Sequence, residues 1–194
     1  LLLSSMDRWV TTILADDCID SPLFGMGEKT TATIIAKDDG LVAGTAMVDH
    51  LIQIWAPSIS INWHASDGKK VSIGDDIATL NGDQESILKM ERSILNILGQ
   101  LSGIATETKK WSAIAVKQIA CTRKTTWGLL DKWAVHLGGG LTHRLNREDA
   151  LMIKENDLAA MDDASSDNNE RIAKFIQEID LEQLNSFLKI DLLF

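Results

Sequence analysis

The side chains that could do chemistry are concentrated in one basic segment of an acidic chain. Residues 117–154 hold seven Lys and Arg against three Asp and Glu, whereas the 194 residues together carry a net charge of −9. A few cations within an acidic protein suit a small polyanionic ligand in a cleft, while nucleic acid needs a broad basic surface. The segment therefore predicts an anion-binding site centred on the pairs Arg123–Lys124 and His143–Arg144.

Three other cations of this segment are predicted to be ordinary solvated residues. They are Lys117, Lys132 and Arg147. Lysine and arginine side chains usually keep their charged ends in water, so no binding role is predicted for these three.

Strands and helices alternate around the two basic pairs. The apolar run 117–122 predicts a buried strand, and the apolar spacing of residues 128–137 predicts a helix that Gly138–Gly140 ends. A second strand is predicted at 149–154 and a second helix at 169–179. Ligands of such α/β folds bind at the carboxyl ends of the strands. Arg123, Lys124 and Lys154 are therefore predicted to converge there.

The preceding part of the chain predicts a separate α+β domain. It contains a predicted helix at 1–14, β-type runs within 31–65 and 71–80, and turns at 67–70 and 73–75. Residues 84–115 predict a long helix with one apolar stripe, which packs in the core. Arg92 lies off that stripe, so this helix could carry its guanidinium toward the site from the N-terminal side.

Several motifs together resemble the quinolinate phosphoribosyltransferase family, also called carboxylating nicotinate-nucleotide pyrophosphorylase. In chain order they are DGLVAG at 39–44, ERSILN at 91–96, LSGIAT at 101–106, TRKTT at 122–126, AV at 134–135, GGG at 138–140, HR at 143–144 and IKEN at 153–156. Each motif is short, but their order and spacing are specific. The resemblance extends over roughly residues 31–157.

The resemblance implies transfer of ribose 5-phosphate from phosphoribosyl pyrophosphate to the nitrogen of quinolinate. Loss of carbon dioxide then gives nicotinate mononucleotide, a step of NAD synthesis, with Mg²⁺ assisting. Residues that match those holding the two quinolinate carboxylates are Arg92, Arg123, His143 and Arg144. Lys124 and Lys154 match the catalytic residues near the phosphates and the reacting centre. Guanidinium groups suit a dicarboxylate because each can donate two parallel hydrogen bonds.

Two motifs depart from the family pattern. Trp127-Gly128-Leu129-Leu130 stands where the family usually has Pro-Gly-Leu-Arg, which removes a cation near the site. Lys154-Glu155-Asn156-Asp157 stands where the family has Lys-Asp-Asn-His. Retention of both Arg123 and Arg144 still favours a dicarboxylate over nicotinate, which has a single carboxylate.

The expected fold is α/β with an α+β N-terminal domain. Residues 1–101 are predicted to form that domain with its linking helix, and residues 102–194 the first part of an α/β barrel. A complete barrel takes about 250 residues. The chain starts with Leu and ends on the apolar run FLKIDLLF, which predicts a third strand at 187–194. We therefore expect a barrel truncated at the C-terminus, inactive or poorly folded alone.

Composition limits the remaining possibilities. The chain has no apolar run of about 18 residues that could span a membrane, and Cys18 and Cys121 form neither a disulfide framework nor a metal-ligand spacing. A reducing cytoplasm is therefore the expected location. The resemblance implies a homodimer or higher homo-oligomer with quinolinate and phosphoribosyl pyrophosphate as its small-molecule partners; no nucleic acid or membrane partner is expected.

Two alternatives to this function stay open. The chain could belong to a nicotinate-using or otherwise divergent phosphoribosyltransferase. It could also be a non-catalytic, truncated fragment that binds a carboxylate ligand without turnover. The set Arg123, Lys124, His143, Arg144 and Lys154 favours the enzyme.

Overall fold

The computed structural model of the chain describes residues 2–116, 118–143, 145, 167 and 169–173. The elements are α1 (Leu2–Asp16), β1 (Lys29–Ile35), β2 (Gly40–Leu41), α2 (Thr45–Trp55), β3 (Ser60–Trp63), β4 (Lys70–Val71), β5 (Asp76–Asp83), α3 (Gln84–Ile114) and α4 (Leu129–Leu137). The chain divides into two compact units, 1–142 and 143–194. All nine elements belong to the first unit, and residues 169–173 of the second are helical.

The first unit mixes helices with two small antiparallel sheets. One sheet has the strand order β1-β5-β3, and the other pairs β2 with β4. Thr31 faces Asn81 in the β1–β5 register, and the Thr31 hydroxyl donates to the Asn81 side-chain oxygen at 2.8 Å. The predicted β-type runs and the turns at 67–70 and 73–75 are confirmed, and Gly68 and Gly74 adopt positive φ in those turns. The mixed α/β class is also confirmed.

The 31 residues of α3 run along the core of this unit. Asp83 caps the helix, because its carboxylate accepts the Ser86 amide at 2.9 Å. The predicted apolar stripe is confirmed, with Ile87, Met90, Ile94, Ile97, Leu98, Leu101 and Ala105 buried. Burial of this stripe against α2, α4 and the larger sheet stabilises a helix about 46 Å long. The predicted domain boundary at 101/102 falls inside α3 and stays a prediction.

Two of the family-like motifs meet at α3 and are structural. The Leu41 amide donates to the Thr106 hydroxyl and the Ala43 amide to the Ser102 hydroxyl, each at 2.9 Å. The LSGIAT motif thus supplies hydroxyl acceptors to the backbone of the DGLVAG motif. Gly40 permits the close approach, since a Cβ there would lie 2.7 Å from the Thr106 hydroxyl oxygen.

Helix α2 was not predicted from the sequence. It follows Gly44, which has a φ of 103° and offers no side-chain cap. The carboxylate of Asp67 accepts the Thr45 amide at 2.8 Å, and its other oxygen accepts the Trp133 indole N–H at 3.0 Å. A residue distant in sequence therefore caps α2 and links it to α4.

A short βα unit closes the first compact unit. Ala120 pairs with Leu141 in a parallel bridge, with hydrogen bonds of 2.8 Å from Leu141 to Ile119 and from Cys121 to Leu141. Helix α4 connects the two segments and confirms the helix predicted at 128–137. The strand predicted at 117–122 is shorter and less buried than expected: Ala120 is exposed and Cys121 half-buried. Among the described residues, this segment pairs with another backbone segment along one edge only.

The other predicted elements are largely outside the described residues. These are the strands at 149–154 and 187–194 and the part of the 169–179 helix beyond residue 173.

No helix among the described residues is long and apolar enough to cross a membrane.

Candidate functional site

Arg123 and Lys124 lie on an exposed loop directly after the parallel bridge. The Lys124 amide donates to the Thr122 hydroxyl at 3.0 Å, which gives the loop a local turn. Both cationic side chains are exposed, and neither forms an ion pair with any residue that the structure describes. Two positive charges are thus held beside each other with no described carboxylate to neutralise them, an arrangement suited to an anionic ligand.

Arg92 projects from the middle of α3 and is oriented by an acidic partner. Its guanidinium forms an ion pair with Asp17, whose side chain is 9% exposed, whereas the Arg92 side chain is 68% exposed. The Ser93 hydroxyl donates to the second Asp17 oxygen at 2.5 Å. Asp17 therefore fixes one end of the guanidinium and leaves much of its surface accessible.

Two clefts adjoin Arg92. One has a volume of about 420 Å³ and is lined by Lys89 and by the turn after α1, including Cys18 and Ser21. The other, of about 260 Å³, is lined by Arg92, Asn96, Trp9 and Trp127. The second cleft brings Arg92 and the residue directly after the TRKTT motif together. Arg123 and Lys124 line neither cleft.

Residues at one departure from the family pattern have packing roles. The Trp127 ring lies against Trp9 with 6.2 Å between ring centroids, and Leu130 is 2% exposed within the main core. An arginine at position 130 would place its charge in that core. The substitution to leucine therefore replaces a cation by an apolar contact that anchors α4.

The expectation that Lys132 is an ordinary solvated residue is wrong. The residue is 5% exposed, and its ammonium donates to the carbonyls of Thr122 at 3.2 Å and Thr142 at 2.9 Å. Helical spacing alone could not reveal this, because it does not show that two backbone segments end beside this position. Lys117 and Arg147 lie outside the described residues.

The Cys121 thiol borders the same region. Burial raises its pKa, and this effect outweighs the opposing effect of the nearby Lys132 ammonium. A raised pKa keeps the thiol protonated at neutral pH, so the environment does not activate Cys121 as a nucleophile.

The remaining predicted site residues belong to the second compact unit. His143 is half-buried and is its first residue. Arg144 and Lys154 lie outside the described residues, so their assignment stays a prediction.

The described residues offer no preformed metal site. They contain no group of three or more His, Cys, Asp or Glu side chains that could hold a metal ion together. The described residues thus do not fit a Mg²⁺ ion bound by protein side chains alone.

The fold defines a mixed α/β protein with an exposed basic loop, and comparison with known proteins gives its family. The family model for the N-terminal domain of quinolinate phosphoribosyl transferase matches residues 10–102, and that for the C-terminal domain matches residues 104–188. The chain belongs to the quinolinate phosphoribosyltransferase family.

Individual relatives agree with the family models. The chain is similar to a chloroplastic carboxylating nicotinate-nucleotide pyrophosphorylase of Oryza sativa, with 42% identity over 136 residues, which cover 68% of this chain and 36% of the rice protein. A probable enzyme of the same name from Methanothermobacter thermautotrophicus is 40% identical over 151 residues, covering 74% of this chain and 53% of the relative. The chain thus spans between about a third and a half of these relatives.

Solved structures give the same result for the fold. The nicotinate-nucleotide pyrophosphorylase of Francisella tularensis superposes with a TM-score of 0.75 at 31% identity. The superposition covers 90% of this chain and 63% of that one.

Proposed function

We propose that the protein transfers ribose 5-phosphate from phosphoribosyl pyrophosphate to quinolinate and releases carbon dioxide. The single observation that carries this proposal is the exposed pair Arg123–Lys124, which has no described carboxylate partner in a chain of net charge −9. Family membership supplies the identity of the anions. Because the chain spans only part of its relatives, the activity is proposed for the protein that carries this sequence.

In the proposed reaction, the bond from ribose C1 to the pyrophosphate oxygen breaks and a bond from C1 to the pyridine nitrogen forms. Pyrophosphate leaves with the electron pair. The carboxylate next to the now cationic nitrogen departs as carbon dioxide, and a proton takes its place on the ring. The products are nicotinate mononucleotide, carbon dioxide and pyrophosphate.

The proposed roles of the cations follow from this charge flow. Arg123, Arg92, His143 and Arg144 hold the quinolinate carboxylates, and Arg123 can donate two parallel hydrogen bonds to one of them. Lys124 and Lys154 lie near the phosphates, where they stabilise the negative charge that develops on pyrophosphate. Decarboxylation needs mainly positioning, because the ribosylated nitrogen itself stabilises the electron pair that carbon dioxide leaves behind.

Other parts of the proposal rest on the family. We propose that residues 102–194 contribute to an α/β barrel, and the parallel bridge and α4 support this as a first βα unit. A homodimer or higher homo-oligomer is proposed. Mg²⁺ is proposed to accompany phosphoribosyl pyrophosphate, but no step is assigned to it. Two free thiols, Cys18 and Cys121, favour a cytoplasmic location.

Calorimetric titration of the chain with quinolinate tests the proposal. Arg123→Ala should weaken binding by about 10- to 100-fold, because hydrogen bonds to charged groups contribute about 1.5–3 kcal/mol. Lys37→Ala is the matched control, since it removes an equal exposed charge between β1 and β2. It should leave the affinity nearly unchanged.

Nicotinate distinguishes the alternatives in the same titration. Tighter binding of quinolinate than of nicotinate supports the dicarboxylate site. Equal or tighter binding of nicotinate would instead favour the nicotinate-using alternative. Quinolinate binding without phosphoribosyl transfer would favour a non-catalytic carboxylate-binding chain, and absence of binding by the folded chain would contradict an anion site formed by these residues.

A further inference from the structure

The first turn of α4 carries two buried charged residues in succession. Asp131 and Lys132 are each 5% exposed, although aspartate and lysine are rarely buried unless their charges are compensated by polar contacts. The motifs that resemble the family include neither residue, and the sequence pattern predicts no binding role for them. Their hydrogen bonds show which parts of the backbone each residue contacts.

Lys132 connects two backbone segments. Its ammonium donates to the carbonyls of Thr122 and Thr142, at 3.2 and 2.9 Å. These segments are the two that pair through Ala120 and Leu141. In the sequence, Thr122 directly precedes Arg123 and Thr142 directly precedes His143. One buried cation therefore fixes the backbone immediately before two predicted substrate-binding residues.

Asp131 holds the other end of the same loop. One oxygen of its carboxylate accepts the Trp127 amide at 2.9 Å. Asp131 lies in the first turn of α4, and its side chain reaches back across Gly128, where φ is 60°. Its other carboxylate oxygen is buried and accepts no hydrogen bond from any residue that the structure describes. Burying a carboxylate with one oxygen unsatisfied costs free energy, so its presence needs an explanation. The hydrogen bond from the Trp127 amide supplies one.

The two residues form hydrogen bonds with the two ends of the loop 122–127, which carries Arg123 and Lys124. Lys132 fixes Thr122 at its start and Asp131 fixes Trp127 at its end, and only residues 123–126 lie between. The Thr122 hydroxyl adds a contact to the Lys124 amide inside the loop. An exposed loop fixed at both ends loses less conformational entropy when it binds a ligand than a mobile one does.

We propose that Asp131 and Lys132 are positioning residues that preorganise the loop 122–127 for anion binding by Arg123 and Lys124. The identity of the anion rests on the proposed function, whereas the fixing of the loop does not. Neither residue needs to touch the ligand. Their removal should therefore loosen the loop even when no ligand is present.

Amide hydrogen exchange followed by NMR, without ligand, tests directly whether Lys132 and Asp131 restrain the loop 122–127. Lys132→Met keeps an aliphatic side chain but removes the ammonium that donates both hydrogen bonds. Lys132→Arg restores a cationic donor. Exchange of the Lys124 and Trp127 amides should speed up about tenfold or more in Lys132→Met, relative to amides of the β1–β5 ladder, and return toward the wild-type rate in Lys132→Arg. Lys110→Met, at a lysine whose side chain is 66% exposed, is the control for the same chemical change.

Asp131 provides a second, independent pair of variants. Asp131→Ala removes the acceptor of the Trp127 amide, while Asp131→Asn keeps an oxygen in its place. The proposal expects faster exchange at Trp127 in Asp131→Ala than in Asp131→Asn. This comparison keeps the proposal testable if Lys132→Met does not fold.

Quinolinate affinity then connects the loop to function. A displaced loop should weaken binding by about 10- to 100-fold in Lys132→Met, with recovery in Lys132→Arg. Variants that melt at lower temperature but keep wild-type exchange at both amides and wild-type affinity would overturn the proposal. If the wild-type chain binds no quinolinate, the proposed function fails for this chain, and the ligand-free exchange rates still decide whether the loop is fixed.

Discussion

At the scale of single residues, the two described arginines of the proposed site differ in their electrostatic surroundings. Arg92 pairs with the nearly buried Asp17, whereas Arg123 has no ion-pair partner among the described residues. A paired guanidinium is oriented but partly neutralised, and an unpaired one retains its full charge. Arg123 should therefore contribute most of the attraction for an anion, while Arg92 contributes a fixed direction.

The titration of Asp83 gives a residue-scale prediction about pH. Hydrogen bonds from the hydroxyl and amide of Ser86 lower the pKa of Asp83 below its ordinary value. A lowered folded-state pKa stabilises the protein above the unfolded pKa of about 4, and that stabilisation is lost as the pH falls through the folded pKa. Asp83→Asn should thus melt below the wild type at pH 7, by a margin that shrinks toward pH 3.

Thermal denaturation between these pH values measures that margin. Asp76→Asn is the control, because Asp76 is an exposed carboxylate in β5. A margin for Asp83→Asn that stays constant from neutral to acidic pH would show that the ionised carboxylate does not stabilise the start of α3.

The exposed charged residues of the loop could be predicted from the sequence. The buried residues that fix the loop by hydrogen bonds could not. Arg123 and Lys124 were predicted because a basic pair at the end of an apolar run is visible in the sequence. Lys132 was not, because its burial depends on two carbonyls that come together only in the folded chain. Asp131 was missed for the same reason, since its contact with Trp127 depends on the turn at Gly128.

At the scale of elements, α3 and α4 were predicted from their apolar spacing, whereas α2 was not predicted. The apolar stripe marks α3, and the glycines after Leu137 mark the end of α4. Helix α2 has glycine at its N-cap and receives its cap from Asp67. A cap from another part of the chain is a tertiary contact, which local sequence patterns cannot reveal.

The end of α4 approaches α3 so closely that Gly138 has no room for a side chain. A Cβ at this position would lie 2.5 Å from both the Ala105 carbonyl oxygen and the Thr108 Cβ. Gly138→Ala should therefore push the two helices apart and destabilise the chain by about 1–3 kcal/mol. Denaturant unfolding of the variant measures this cost.

Gly99→Ala is the matched control for that substitution. Gly99 is exposed within α3, and a Cβ there would meet no atom within 4 Å outside the adjoining backbone of its own helix. Alanine should stabilise this position by about 0.5–1 kcal/mol, because glycine loses more backbone entropy in a helix. Equal effects at the two positions would contradict the close approach of α4 to α3.

At the scale of the whole molecule, the lining of the clefts beside Arg92 bears on assembly. Arg92 lines two clefts, and neither is lined by Arg123 or Lys124. If the proposed homo-oligomer completes its sites across subunits, Arg92 of one protomer would meet Arg123 of its partner.

Mixing two variants that bind quinolinate weakly tests that arrangement. Arg92→Ala and Arg123→Ala should each bind quinolinate weakly alone. If the two arginines act across a dimer interface, mixed dimers contain one site with both arginines intact, and random exchange of subunits restores about a quarter of the sites. Calorimetric stoichiometry after co-refolding measures the restored fraction, and light scattering gives the mass relative to the 21.3 kDa chain.

The alternative arrangement gives a different result in the same experiment. If Arg92 and Arg123 act within one protomer, every mixed dimer has a defect in each site, and no tight binding returns on mixing. A control mixture of Arg92→Ala with the wild type should retain tight sites under either arrangement, which shows that refolding itself does not destroy the site. Recovery only in the mixture of the two variants, together with a dimeric mass, would place the complete anion site between subunits.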